Sequence, residues 1–135
     1  MAKGPRTIYL IKRLETLIRV RLEAALQDLA LTPGQYTTLS VVNVGPISSA
    51  DLARRVGITP QSMSEVIALL ERKGHVTRTV RDDNRRIADV GLTALGESLL
   101  RQAEERVDIF ERELLKSLSP HEEALLRGTL EVILS

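Results

Sequence analysis

The chain has 135 residues, the usual size of one domain and long enough to bury a core without crosslinks. It contains no cysteine, which excludes disulfides, thiolate metal sites, cysteine nucleophiles and thiol redox sensing. The net charge of +1 is unevenly spread: residues 1–21 carry six basic side chains against one acidic, residues 71–86 six against three, and residues 97–135 five against nine.

A basic middle beside an acidic C-terminal part suggests a face for a polyanion, although ordinary helix-surface charge gives the same count. No run of about eighteen apolar residues is present, so no membrane span is expected. Met1-Ala2-Lys3-Gly4-Pro5 has no apolar segment of the signal-peptide kind, and a cytoplasmic protein is expected. Tyr9, Tyr36 and Phe110 are the only aromatics, so the core must come from Leu, Val, Ile and Ala. His75 and His121 are the only histidines; both read as surface residues, and neither a metal site nor a cofactor is expected.

Ile8, Ile11, Leu14, Leu17, Ile18, Leu22, Ala25, Leu26 and Leu29 recur at three- and four-residue steps and predict one long helix. Its apolar stripe is broad and needs a further apolar surface to cover it. Thr32-Pro33-Gly34-Gln35 restarts a helix, with Thr32 as cap, Pro33 at the first position and Gln35 closing a capping box. That helix is predicted to stop at Gly45-Pro46. Ser48 caps a short helix with Leu52, Ala53 and Val56 inward and Gly57 at its end. Thr59-Pro60 opens the next helix, whose inner stripe is Met63, Val66, Ile67 and Leu70, and which ends at Lys73-Gly74.

Two helices about a tight turn at Gly57-Ile58 form a helix-turn-helix pattern, shared by DNA readers and plain helical hairpins. The segment that follows decides between them. Residues 75–80 and 87–92 read as two strands around the polar turn Arg81-Asp82-Asp83-Asn84-Arg85-Arg86. A hairpin with arginines at its tip makes a winged helix, because a narrow hairpin can lie along a minor groove whose negative potential attracts guanidinium. Thr93 then caps a helix running to Leu118, about 25 residues and about 37 Å long. Ser119-Pro120-His121-Glu122 starts the last helix with another capping box, and its apolar positions are Leu125, Leu126, Leu130, Ile133 and Leu134. The fold class is therefore mainly α with a small β-wing. No paired carboxylates, serine–histidine arrangement or phosphate-cradling glycine loop is visible, so no enzyme is expected.

The chain resembles the MarR family of winged helix-turn-helix transcription regulators. The resemblance rests on Leu31-Thr32-Pro33-Gly34-Gln35-Tyr36, on Asp51-Leu52-Ala53-Arg54-Arg55-Val56-Gly57, on Leu70-Glu71-Arg72-Lys73-Gly74, on the paired Arg85-Arg86, and on Leu92-Thr93-Ala94-Leu95-Gly96. It implies one domain: residues 1–31 and 97–135 as dimerisation helices, residues 32–96 as the winged helix-turn-helix. It also implies a homodimer on double-stranded DNA, with a pseudo-palindromic operator, acting as a repressor released by a small phenolic or anionic effector. The implied DNA contacts are Ser48, Pro60, Gln61, Ser62, Ser64 and Glu65, with Arg78, Arg81, Arg85 and Arg86 from the wing. Tyr36 is the candidate for the effector site, against a plain core role. The alternative function is a winged-helix protein-interaction module without a specific DNA site.

Three departures stand out. Asn84 occupies the place of the family's aspartate two residues before the key arginine, so Asp82 or Asp83 is expected to brace Arg86 instead. Glu65 stands where relatives often carry a basic residue; it would repel phosphate or accept from a cytosine amino group. Ala68 and Leu69 replace a common acidic–basic pair.

Overall fold

The computed structural model describes residues 4–135; Lys3, counted in the N-terminal charge, lies outside them. The order is α1 (Thr7–Leu26), a 3-10 turn (Gln27–Leu29), α2 (Pro33–Val44), β1 (Ile47–Ser48), α3 (Ser49–Val56), α4 (Pro60–Arg72), β2 (Val76–Val80), β3 (Ala88–Leu92), α5 (Ala94–Leu114) and α6 (Pro120–Leu134). This is a mainly helical fold with a small β-wing.

Local chemistry sets the helix starts. Thr32 and Ser119 each complete a reciprocal capping box, with Gln35 and Glu122 reaching back to the cap nitrogen. Ser48, Thr59 and Thr93 each accept one orphan amide, from Asp51, Ser62 and Gly96. Gly57 closes α3 at φ 80, the left-handed conformation that lets the chain reverse into α4.

Two helices end sooner than their periodicity predicts. The first stops at Leu26 and tightens into the 3-10 turn, and Ala30 at φ 53 donates its N–H to the Gln27 carbonyl. This turns the chain toward the Thr32 cap. The helix from Thr93 stops at Leu114, 21 residues in, and Leu118 donates back to Leu115 in a turn. Pro120 accounts for Ser119 alone, which lies at ψ 161 because the residue before a proline is driven out of the helical region.

The sheet order is β1-β3-β2, all antiparallel. β2 and β3 are the wing, in register from Val76↔Leu92 to Val80↔Ala88. The two-residue β1, not foreseen in the sequence, pairs Ile47 with Val90 and Ser48 with Asp89.

One aliphatic core joins these elements: Leu26, Leu31, Leu39, Val42, Leu52, Ala53, Met63, Ile67, Leu70, Val76, Val90, Leu100 and Ala103. Each large member contributes about 1.5–3 kcal/mol by leaving water. The wing base is locked to α5 by Thr93, whose backbone N–H donates to the His75 carbonyl at 3.1 Å and whose hydroxyl donates to the Gly74 carbonyl at 2.5 Å. α5 approaches so closely there that a Cβ on Gly96 would lie 2.0 Å from the His75 carbonyl oxygen. His75 is half-buried and not fully at the surface: clamped between α4 and α5, it keeps part of its side chain in solvent while its Nδ1 is buried without a hydrogen-bond partner. Burial first, and Lys73 second, hold its pKa below the usual histidine value.

The terminal helices are different. Ile8, Leu10, Ile11, Leu14, Leu17 and Val20 of α1 are exposed, Ile8 at 73%. α6 buries no residue, and Val132 and Leu134 are exposed at 74% and 83%. Among the described residues, no helix is long and apolar enough to cross a membrane.

Candidate nucleic-acid interface

Helix α4 is fixed by its inner face. Met63, Ile67 and Leu70 are fully buried against the core, which commits the opposite face to solvent. That opposite face begins with Pro60, Gln61, Ser62, Ser64 and Glu65, all exposed. The Thr59 hydroxyl donates to Ser62 Oγ at 2.9 Å while accepting from the Ser62 amide at 3.1 Å, so Ser62 is ordered as part of the cap.

A groove of about 530 Å³ runs between the start of α3, α4 and the wing. It brings together Ser48, Ser64, Arg78, Arg81 and Arg86 of the residues singled out in the sequence. Pro60, Gln61, Ser62, Glu65 and Arg85 are outside its walls, on the exposed start of α4 and at the hairpin tip. Ser48 is 9% exposed, and its hydroxyl accepts from the Asp51 amide, so it acts as wall and cap. Arg54 also lines the groove; the sequence names it only within the Asp51–Gly57 motif and not as a contact.

Charge pairing divides the arginines of this face. Arg54 pairs with Asp51. Arg78 pairs with Glu71 at 3.5 Å, tying β2 to the end of α4. Arg81 binds Asp89 of β3 through Nε, at 3.0 and 3.1 Å, and through Nη2, at 2.8 Å. That hydrogen-bonded pairing raises the Arg81 pKa. The Asp51 carboxyl is held below its usual range by Ser48 first, then by Arg54 and Arg81. Among the described residues, Arg85 and Arg86 form no ion pair.

The tip is not braced as expected. Neither Asp82 nor Asp83 pairs with Arg86. Instead Asn84 Oδ1 accepts the backbone N–H of Arg86 at 3.1 Å, and Ile87 donates to the Asn84 carbonyl at 3.0 Å. A short Asx-type turn thus fixes the backbone and leaves the Arg86 side chain to solvent.

Tyr36 is half-buried against the core, where α2 meets α5. Burial chiefly, with Glu104 and Asp108 nearby, pushes its hydroxyl pKa up to about 12, against a bond with Ser40 that acts the other way. It remains a neutral donor at any physiological pH. Among the described residues, no group of three or more His, Asp or Glu side chains could hold a metal ion.

A helix pair reversed at a glycine, followed by a two-stranded wing with unpaired arginines at its tip, defines a winged helix-turn-helix. Comparison with known proteins agrees. A sequence profile described as MarR family matches residues 31–87. The HTH-type transcriptional repressor Rv2887 of Mycobacterium tuberculosis is 33% identical over 124 residues, covering 91% of this chain and 89% of that protein. The structure of Rv2887 in complex with DNA superposes with a TM-score of 0.82 at 31% identity, covering 98% of this chain and 100% of the other. Its complex with p-aminosalicylic acid gives a TM-score of 0.80 at 31% identity, covering 97% and 100%. The chain belongs to the MarR family of winged helix-turn-helix transcription regulators, which are DNA-binding proteins and not enzymes.

Proposed function

We propose that the protein is a homodimeric, sequence-specific repressor that acts on DNA in the cytoplasm and is released by a small phenolic or anionic ligand. The observation that carries this reading is the exposed polar start of α4 beside the unpaired Arg85 and Arg86 of the wing tip. In it, residues 32–96 read DNA, and residues 1–31 and 97–135 pair two subunits.

The chemistry follows from that arrangement. Pro60, Gln61, Ser62, Ser64 and Glu65 enter a major groove, where Gln61 can address an adenine edge and Glu65 a cytosine amino group. Arg85 and Arg86 enter the flanking minor groove, with Ser48, Arg78 and Arg81 along the wall between. Two-fold symmetry then calls for a pseudo-palindromic operator with half-sites about 34–36 Å apart. The uncovered faces of α1 and α6 support the dimer, since a lone subunit would leave them in water.

Release needs a ligand that prefers the spacing at which the two α4 helices no longer fit successive grooves. A hundredfold loss of DNA affinity requires about 2.7 kcal/mol of preference between the two states. The relative crystallised with p-aminosalicylic acid and with salicylic acid supports an aromatic carboxylate as the class. Tyr36, held neutral, is the candidate donor to it.

The test is a titration against a duplex recovered by selection from a random pool and against mixed-sequence duplex, each at two salt concentrations. Arg86→Ala is expected to weaken both and to lower the salt slope by about one unit per subunit. Gln61→Ala is expected to cost about 1–3 kcal/mol on the selected duplex and little on mixed DNA. Glu65→Ala either relaxes preference at one base pair or tightens binding to all DNA, which tells base reading from phosphate repulsion. Wild-type titrations for both Arg86→Ala and Gln61→Ala would sink the reading in favour of a protein-interaction module.

A further inference from the structure

The wing face contains more arginine than it can offer to a polyanion. Four arginines line the groove between α3, α4 and the wing: Arg54, Arg78, Arg81 and Arg86. Three of them already face a carboxylate of the same chain, and the best made of these pairs is Arg81 with Asp89.

Its geometry separates it from an ordinary surface pair. Asp89 lies on β3 between Ser48 of β1 and Thr79 of β2, so three strands fix its backbone. Arg81 is the first residue beyond β2, and its amide donates to the Ile87 carbonyl at 2.9 Å, closing the tip loop. Three hydrogen bonds of 2.8–3.1 Å then join the two side chains, which are 35% and 25% exposed. The fork of a guanidinium on both carboxylate oxygens fixes angle as well as distance. The pair therefore ties the root of the tip loop to the middle of the sheet.

Taking Arg81 away to a phosphate would break all three bonds. It would also leave Asp89 bare, with Asp51 nearby and a polyanion in front of it.

Resting on the reading that this face meets DNA, we infer that Arg81 is a positioning residue, neutralised in cis by Asp89. The pair sets the angle at which the tip carries Arg85 and Arg86, and Arg81 adds nothing to phosphate neutralisation. Asp89 is thus a determinant of specificity that touches no DNA. It holds a charge out of the non-specific account and holds the wing in its register.

The experiment uses the full-length protein and the two duplexes named above, with affinity measured across a range of salt. Arg81→Ala with Asp89→Ala, which removes the pair without changing the charge of the face, is expected to weaken the selected duplex at least fivefold, leaving the salt slope unchanged. Asp89→Asn frees Arg81, so mixed-sequence duplex should bind more tightly and with a slope steeper by about one unit per subunit. The exchanged pair Arg81→Asp with Asp89→Arg should bring the selected duplex back to within about threefold of wild type, as a positional role requires. A slope that falls for Arg81→Ala with Asp89→Ala as it does for Arg86→Ala overturns the inference and makes Arg81 a phosphate contact. An Asp89→Asn protein that binds like wild type overturns it too.

A second measurement needs no DNA. The Arg81 Nε–H resonance should exchange slowly in wild type and quickly in Asp89→Asn; fast exchange in both overturns the pair itself. Failure of the wider reading looks different, since there Arg86→Ala also titrates like wild type.

Discussion

The winged half and the terminal helices are built from the same aliphatic alphabet, yet they end in opposite states. In the winged half, Leu52, Met63, Ile67 and Leu70 leave water almost completely. Its helix starts are capped and its strands paired, so its polar backbone is settled within one chain. In the first three turns of α1 and in α6, most leucines and isoleucines at the same helical spacing stay in solvent, and α6 starts at its own capping box. Amphipathic periodicity therefore says that a face will be covered, not by what. The winged half covers its own; the terminal helices leave theirs uncovered within one chain.

The comparison is broken most severely from the inside. Leu52→Ala empties a fully buried site shared by α3 and the core, at a cost of about 2–5 kcal/mol. The thermal midpoint followed by circular dichroism should fall by about 10 °C. A midpoint within a degree or two of wild type would mean that the winged core is looser than its burial says.

The converse change leaves the core alone. Ile11→Asp together with Ile133→Asp puts charge on both uncovered faces. Light scattering at micromolar concentration should then drop from about 30 kDa, twice the chain's 15.0 kDa, to the mass of one chain. The winged half should keep its helical signal, because its own core is untouched. An intact dimer would show that some other surface joins the subunits.

The mildest probe lies where the two regions meet. In a Tyr9→Phe background Tyr36 is the sole tyrosine, and its phenolate absorbance should rise near pH 12. Because the folded value exceeds the ordinary value of about 10, the stabilisation is complete below about pH 10 and is lost as pH climbs toward 12. A transition at the ordinary value with the fold intact would mean that the α2–α5 contact is open to water.

Much of this architecture was legible because it is local. Thr32, Thr59 and Ser119, each followed by proline, mark three helix starts within a residue, and Gly57 marks the reversal between α3 and α4. What escaped was decided at a distance. Ile47 and Ser48 make a strand too short to show alternation, and only Val90 and Asp89, some forty residues on, give it a partner. Asp89 itself reads as an unremarkable polar residue until the hairpin folds Arg81 onto it. The bracing of the tip was sought in Asp82 and Asp83 because a carboxylate was wanted there; Asn84 does the work through the backbone instead. His75 reads as a surface residue by type, while the clamp that half-buries it comes from Thr93 and Gly96 on another element.

That clamp also sets how motion must travel. At Gly96 there is no room for even one carbon between α5 and the strand that follows α4. Such a joint behaves as a weld and not as a hinge. α5 continues from it for 18 residues, to Leu114, a rod of about 27 Å. A rotation of about ten degrees at the weld sweeps the far end of a rod that long through about 5 Å, close to one turn of helix. Whatever tilts α5 must swing the end of α4 and the root of the wing as one piece, with no slack in which to lose the movement.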